Sequence, residues 1–110
     1  MNKSFSFVWI KSYYFKVKLF NTLAELGEYF KQNPGARKKL HGRTVPLESS
    51  RCLGEIYLSR EGLELDVAAH EAFHAALVWA RRLKYSAEFH EEEIAKVVGD
   101  LTKQLMNKLK

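Results

Sequence analysis

One cysteine, Cys52, stands in the whole chain, so no internal disulfide framework staples it. A lone thiol fits a reducing compartment. No apolar run is long enough to span a membrane, and Ser4, Ser6, Lys11 and Ser12 interrupt the N-terminal stretch too often for a signal-peptide core. A soluble cytoplasmic protein is the expectation. There is no internal repeat, no low-complexity segment and no Pro/Gly/Ser-rich linker, so residues 1–110 read as a single domain. A chain this short has limited core, and a bound metal or a partner subunit is a natural supplement.

The net charge of +5 is unevenly placed. Residues 1–55 hold 10 Lys/Arg against 4 Asp/Glu, and residues 56–110 hold 8 against 9. The excess includes the cluster Arg37, Lys38, Lys39, His41 and Arg43. Nucleic acid is a possible partner on charge, although no nucleic-acid motif accompanies it; a solvated lysine-rich loop is the plainer reading.

Residues 4–10 are aromatic and β-branched and predict a strand, with Lys11-Ser12 as the turn. Phe15, Val17 and Leu19 then alternate with Lys16 and Lys18, the period of a half-buried strand, so the first 20 residues predict a hairpin. Thr22 and Glu25 have capping-box spacing, Leu23, Leu26 and Phe30 recur at helical spacing, and Asn33-Pro34-Gly35 ends the run. Residues 37–50 predict loop with a short strand near Thr44-Val45, and residues 53–59 a further strand. A helix from Leu65 to about Leu83 carries a predicted buried stripe of Ala69, Phe73, Ala76 and Ala80; a last helix from about Glu88 to Leu109 has Ile94, Val97, Val98, Leu101 and Leu105 on one face. The fold class is α+β: a small antiparallel or mixed sheet with three helices, the last two forming an antiparallel hairpin.

The segment that carries chemistry is Val67-Ala-Ala-His70-Glu71-Ala-Phe-His74-Ala-Ala-Leu77. Histidines four apart on a helix share a face one turn apart, so both imidazoles reach one ion, and neutral imidazole is a good zinc ligand. Glu71 projects towards a metal-bound water and serves as general base. The bare pattern fixes three positions and arises often by chance; the apolar surround of Ala68, Ala72, Phe73, Ala75 and Ala76 strengthens it. A catalytic site needs a third protein ligand. Cys52 is one candidate, but Glu91-Glu92-Glu93 is the better supply, because a hairpin centred on Leu83 puts residue 92 level with residue 74. Glu92 shares a row with Ala95 and Gly99, small residues that would admit a close helix, and is preferred; Glu91, on the row of Ile94 and Val98, is the alternative. Placement of the three glutamates at a helix N-terminus also suits the macrodipole without any metal.

Three runs, Gly54–Ser59, Leu65 through His70-Glu71 to His74-Ala75, and Glu92–Ala95, resemble the minimal gluzincins, above all the ImmA/IrrE-like metallopeptidases encoded by phages and mobile elements. The resemblance covers roughly residues 52–105. It implies a zincin-like fold, peptide-bond hydrolysis with Zn2+, histidine ligands at His70 and His74, a glutamate ligand at Glu92 and the catalytic base at Glu71. It also implies that the strand before the helix, Gly54–Ser59, is the edge along which a peptide substrate aligns. The interval from the second histidine to the glutamate is shorter than usual for larger members. Lys96 stands where an asparagine or aspartate often follows the alanine, so a partner that orients a histidine is to be sought elsewhere. Tyr57, Tyr85 and His90 are candidate oxyanion donors, each with packing as its plainer role; Trp79 and Phe89 are expected to pack, and His41 to lie in a loop. A catalytically inactive zinc-binding regulator is the competing expectation, and a chance motif in a metal-free interaction module a third.

Overall fold

The computed structural model describes residues 3–31 and 40–109. The predicted helix stop at residues 33–35 and the basic residues 37–39 lie outside them.

Strands β1 (Lys3–Ile10) and β2 (Tyr13–Phe20) form the expected hairpin, paired antiparallel from Lys3↔Phe20 to Ile10↔Tyr13. Lys11 turns the chain with a φ of 56°. The period of two in β2 works as the pattern requires: Phe15, Val17 and Leu19 are buried, while Tyr14, Lys16 and Lys18 lie on the other face. Helix α1 (Leu23–Tyr29) follows after Thr22, whose hydroxyl accepts from the Glu25 backbone N–H at 3.1 Å. That capping bond satisfies a donor the helix itself leaves unpaired.

Strand β3 (Gly42–Pro46) is somewhat longer than the short strand expected near Thr44-Val45, and it pairs antiparallel with β4 (Cys52–Ser59). The sheet order is β1-β2-β4-β3, with β2 and β4 parallel, so the sheet is mixed. A register shift between Tyr14 and Phe15 lets Leu53 bulge out of the β2–β4 ladder. Gly54 is required where it stands, because a Cβ there would sit 2.4 Å from the Val45 carbonyl oxygen.

Helices α2 (Leu65–Arg82) and α3 (Ala87–Met106) follow, and a 3-10 turn (Asn107–Leu109) closes the described chain. Both helices pack on one face of the sheet, around a core that includes Val8, Phe15, Val17, Ile56, Leu58, Trp79, Leu101 and Leu105. The opposite face meets α1 through Phe20, Leu26 and Tyr57. The architecture is therefore α+β, one helix on one side of a four-stranded mixed sheet and two on the other.

The buried stripe of α2 differs from the expected one. Ala68, Ala72, Ala75, Ala76, Trp79 and Ala80 are buried, whereas Phe73 is 49% exposed and Ala69 half-buried. Alanines along this stripe bring the helix axis close to the sheet, and Trp79 supplies the bulk that Phe73 was expected to provide. Phe89, expected to pack, is also exposed. At its C-terminal end α2 is tied to the β3–β4 loop: the Arg82 guanidinium donates to the carbonyls of Leu47 at 3.1 Å and Ser49 at 2.6 Å.

The two outer strands are treated differently. On β1, the Gln104 side chain accepts from the Trp9 N–H and donates to the Trp9 carbonyl, both at 2.9 Å, and Lys108 donates to the Phe7 carbonyl at 3.0 Å. The amide imitates a neighbouring strand and closes that edge. No described strand pairs with the outer side of β3. Among the described residues no helix is long and apolar enough to cross a membrane.

Candidate metal and catalytic site

His70 and His74 stand one turn apart on the exposed side of α2, their Nε2 atoms 3.1 Å apart. Two nitrogens each about 2.0–2.1 Å from a tetrahedral zinc lie about 3.3 Å apart. The pair therefore has nearly the separation a shared ion demands. Without an ion the same distance suits an N–H···N hydrogen bond in which one neutral ring donates to the other.

Glu71, the next residue after His70, faces the crevice between α2 and β3 and is 3% exposed. It is the one buried carboxylate among the described residues. Its Oε1 accepts from the Thr44 hydroxyl at 2.7 Å. Its other oxygen lies beside Gly42, where a Cβ would come within 3.2 Å of Oε2 and 3.0 Å of Cγ. A side chain at residue 42 would thus crowd the carboxylate. Thr44 and Gly42 were not foreseen as site residues. The signal was present only as β3 itself: alternate residues of that strand, 42, 44 and 46, share the face turned to α2.

The expected substrate edge is corrected by the topology. β4 is an interior strand paired on both sides, so Gly54–Ser59 has no free ladder to offer. β3 is the outer strand. The Leu47 N–H donates to the Leu53 carbonyl, and alternation along an antiparallel ladder then turns the backbone groups of Val45 and Arg43 towards β4. Those of Thr44 and Gly42 face outwards, next to Glu71.

Among the described residues no group of three His, Cys, Asp or Glu side chains is placed to hold an ion. Cys52 instead donates to the Gly54 carbonyl at 3.5 Å. The reasoning that selected Glu92 also fails in its details. α2 ends at Arg82 and α3 begins at Ala87, so the hairpin centres nearer residue 84 or 85 than Leu83. Ala95 and Gly99, the row of Glu92, face solvent, and a Cβ on Gly99 would meet nothing within 4 Å. Buried Ile94 and half-buried Val98 mark the row of Glu91 as the one nearer the core, although Glu91, Glu92 and Glu93 are all exposed.

The three candidate oxyanion donors have structural work. Tyr57 lies on the α1 side of the sheet, away from α2, and donates to Glu55 at 2.7 Å. Burial and its hydrogen bonds to Tyr29 and Glu55 hold its phenol far above the ordinary range, so it stays protonated. Tyr85 and His90 stack at 4.0 Å with rings 6° apart. His90 Nδ1 also accepts from the Ser86 N–H at 3.3 Å, which puts the ring proton on Nε2. These contacts accompany a break in α3, where His90 leaves helical geometry at φ −126° and ψ 26°. The acidic triplet thus opens the straight part of the helix.

Comparison of the chain with protein-family models, curated proteins and solved structures finds no match in any of the three.

Proposed function

We propose that the protein is a zinc-dependent peptidase of the minimal gluzincin type, acting at the crevice between α2 and β3. One observation carries this reading: a histidine pair at ion-sharing distance stands on the same helix as a buried carboxylate set against β3, the outer strand among the described residues. The donor set fits zinc in part. His70 and His74 would hold it, and the third donor would come from the acidic turn of α3, where the row of Ile94 and Val98 favours Glu91 over Glu92. Zinc, when bound, supplies a water whose pKa falls to about 7.

Glu71 takes the proton at Oε2, the oxygen that Thr44 does not occupy, and returns it to the leaving amine. Thr44 fixes the carboxylate's orientation. The outward N–H and C=O of Thr44 align an extended peptide by strand addition. Phe73, whose ring centroid lies 6.3 Å from that of His74, gives an apolar substrate side chain a surface to cover. A cytoplasmic setting suits the lone thiol.

A second reading has an observation of its own. Glu71 paired with Thr44 ties helix to sheet, a structural role that needs no proton transfer, and the protein would then be a metal-binding regulator without catalysis. Zinc content and cleavage of a peptide library, compared for wild type, His70→Ala and Glu71→Gln, separate the two. The peptidase requires about one zinc per wild-type chain, none in His70→Ala, and retained zinc with cleavage reduced about 100- to 10,000-fold in Glu71→Gln. Undiminished cleavage in Glu71→Gln overturns the mechanism; no zinc after reconstitution overturns both readings. Glu91→Gln should weaken zinc binding more than Glu92→Gln, and the reverse order would return the ligand to Glu92.

A further inference from the structure

On the sheet face turned away from α2 and α3, three large rings project from alternate positions of β1. Phe5 is 50%, Phe7 48% and Trp9 44% exposed. Exposed apolar side chains scattered singly need no explanation, but a row of them on one strand does. Their cross-strand partners are Lys18, Lys16 and Tyr14. Tyr14 packs against Phe7 at 5.5 Å and Trp9 at 5.0 Å, and the Lys16 ammonium sits 4.6 Å from the Phe5 ring centre. Rings and cations are thus interleaved across the face rather than separated into an apolar centre and a charged rim. The hairpin that carries them, residues 3–20, contains four lysines and no aspartate or glutamate; Lys18 is paired with Glu55 of β4 at 2.9 Å, and Lys16 stands among the rings. The sealed β1 edge leaves this strand its face, not its backbone, for binding.

The geometry points to a binding platform for single-stranded nucleic acid on the β1–β2 face, with bases stacked on Phe7 and Trp9 and phosphates met by Lys16. Aromatic faces stack any base and lysines neutralise phosphates, so recognition tolerates sequence. Alternate side chains on a strand repeat at about 6.8 Å, twice the roughly 3.4 Å per nucleotide along a duplex strand. Successive rings therefore suit bases that are unstacked and splayed, which only a single strand presents. This inference stands apart from the proposed peptidase site, since α2 lies on the opposite face of the sheet.

The test follows fluorescence and anisotropy of the full-length protein with labelled oligo-dT and oligo-U of about 15 nucleotides over a salt series. Trp9 is exposed and Trp79 buried, so quenching on titration reports stacking at the platform. Expected are quenching on binding, about tenfold weaker binding in Phe7→Ala, and a log–log salt slope reduced by about 0.7 in Lys16→Ala. Far-UV circular dichroism and melting of the variants exclude unfolding, as exposed side chains are the ones removed. Absence of binding at low salt overturns the proposal. So does binding without Trp quenching that Phe7→Ala leaves intact, which assigns the contact to basic residues elsewhere. So would a wild-type dimer in sedimentation that Phe7→Ala dissociates, because the face would then be covered by a second copy.

Discussion

Thr44→Val removes one hydroxyl and nearly preserves side-chain shape, and it isolates the bond that holds Glu71. The bond is 2.7 Å long and its acceptor is 3% exposed, so water cannot readily replace the lost donor. Hydrogen bonds to charged groups contribute about 1.5–3 kcal/mol, and stranding a buried carboxylate oxygen costs a similar amount. A loss of about 2 kcal/mol is expected. For 110 residues at about 2.1 cal/mol/K each, the unfolding entropy is about 0.23 kcal/mol/K, so Tm should fall by about 9 °C. Thermal melts followed by circular dichroism measure this, with urea unfolding as a second route. Thr44→Val/Glu71→Leu, which replaces both partners by apolar groups, should recover most of the loss. A fall of under about 2 °C, small against that 2 kcal/mol, or a double variant worse than the single one, would refute the claim that Thr44 is what satisfies Glu71.

Gly54→Ala forces a methyl group to within 2.4 Å of a backbone oxygen that cannot rotate away; a loss of about 3 kcal/mol or more is expected in urea unfolding, the upper end of overpacking. Gln104→Leu deletes both bonds to the Trp9 backbone; stability should drop by about 1–2 kcal/mol, with faster hydrogen exchange at the Trp9 amide. Burial pushes the Glu55 carboxyl up, but hydrogen bonds from Lys18 and Tyr57 outweigh it and leave the group below its ordinary value. Its contribution is therefore full above the unfolded pKa of about 4.3 and lost as pH falls through the folded value. Glu55→Gln should flatten acid destabilisation below about pH 4, and an unchanged acid limb would show that the pair with Lys18 adds nothing.

Local elements were legible because their signals are local. Alternation in residues 15–19, the Thr22–Glu25 cap and the helical spacing of Ile94, Val98, Leu101 and Leu105 each depend on near neighbours, and each matches the structure. Strand pairing is not local. Ile56, Tyr57 and Leu58 form a consecutive buried run, the mark of a strand covered on both faces, yet nothing nearby says that β3 rather than β4 takes the outside. Thr44 was missed for that reason. The histidine pair was legible from its spacing of four, whereas the placement of Glu91 and Glu92 depended on hairpin register and on a break at His90 that helix periodicity does not announce.

The side-chain amide that closes β1 sets a limit on self-association. Were two copies to meet through their β3 edges, they would build one continuous sheet of eight strands, twice the four of each chain. Each outer boundary of that sheet would be a β1 already occupied by Gln104 and Lys108, so the array has no further place to grow. Such a pair would end at two members and bury the backbone beside Glu71, and any peptide that binds there must displace the second copy first.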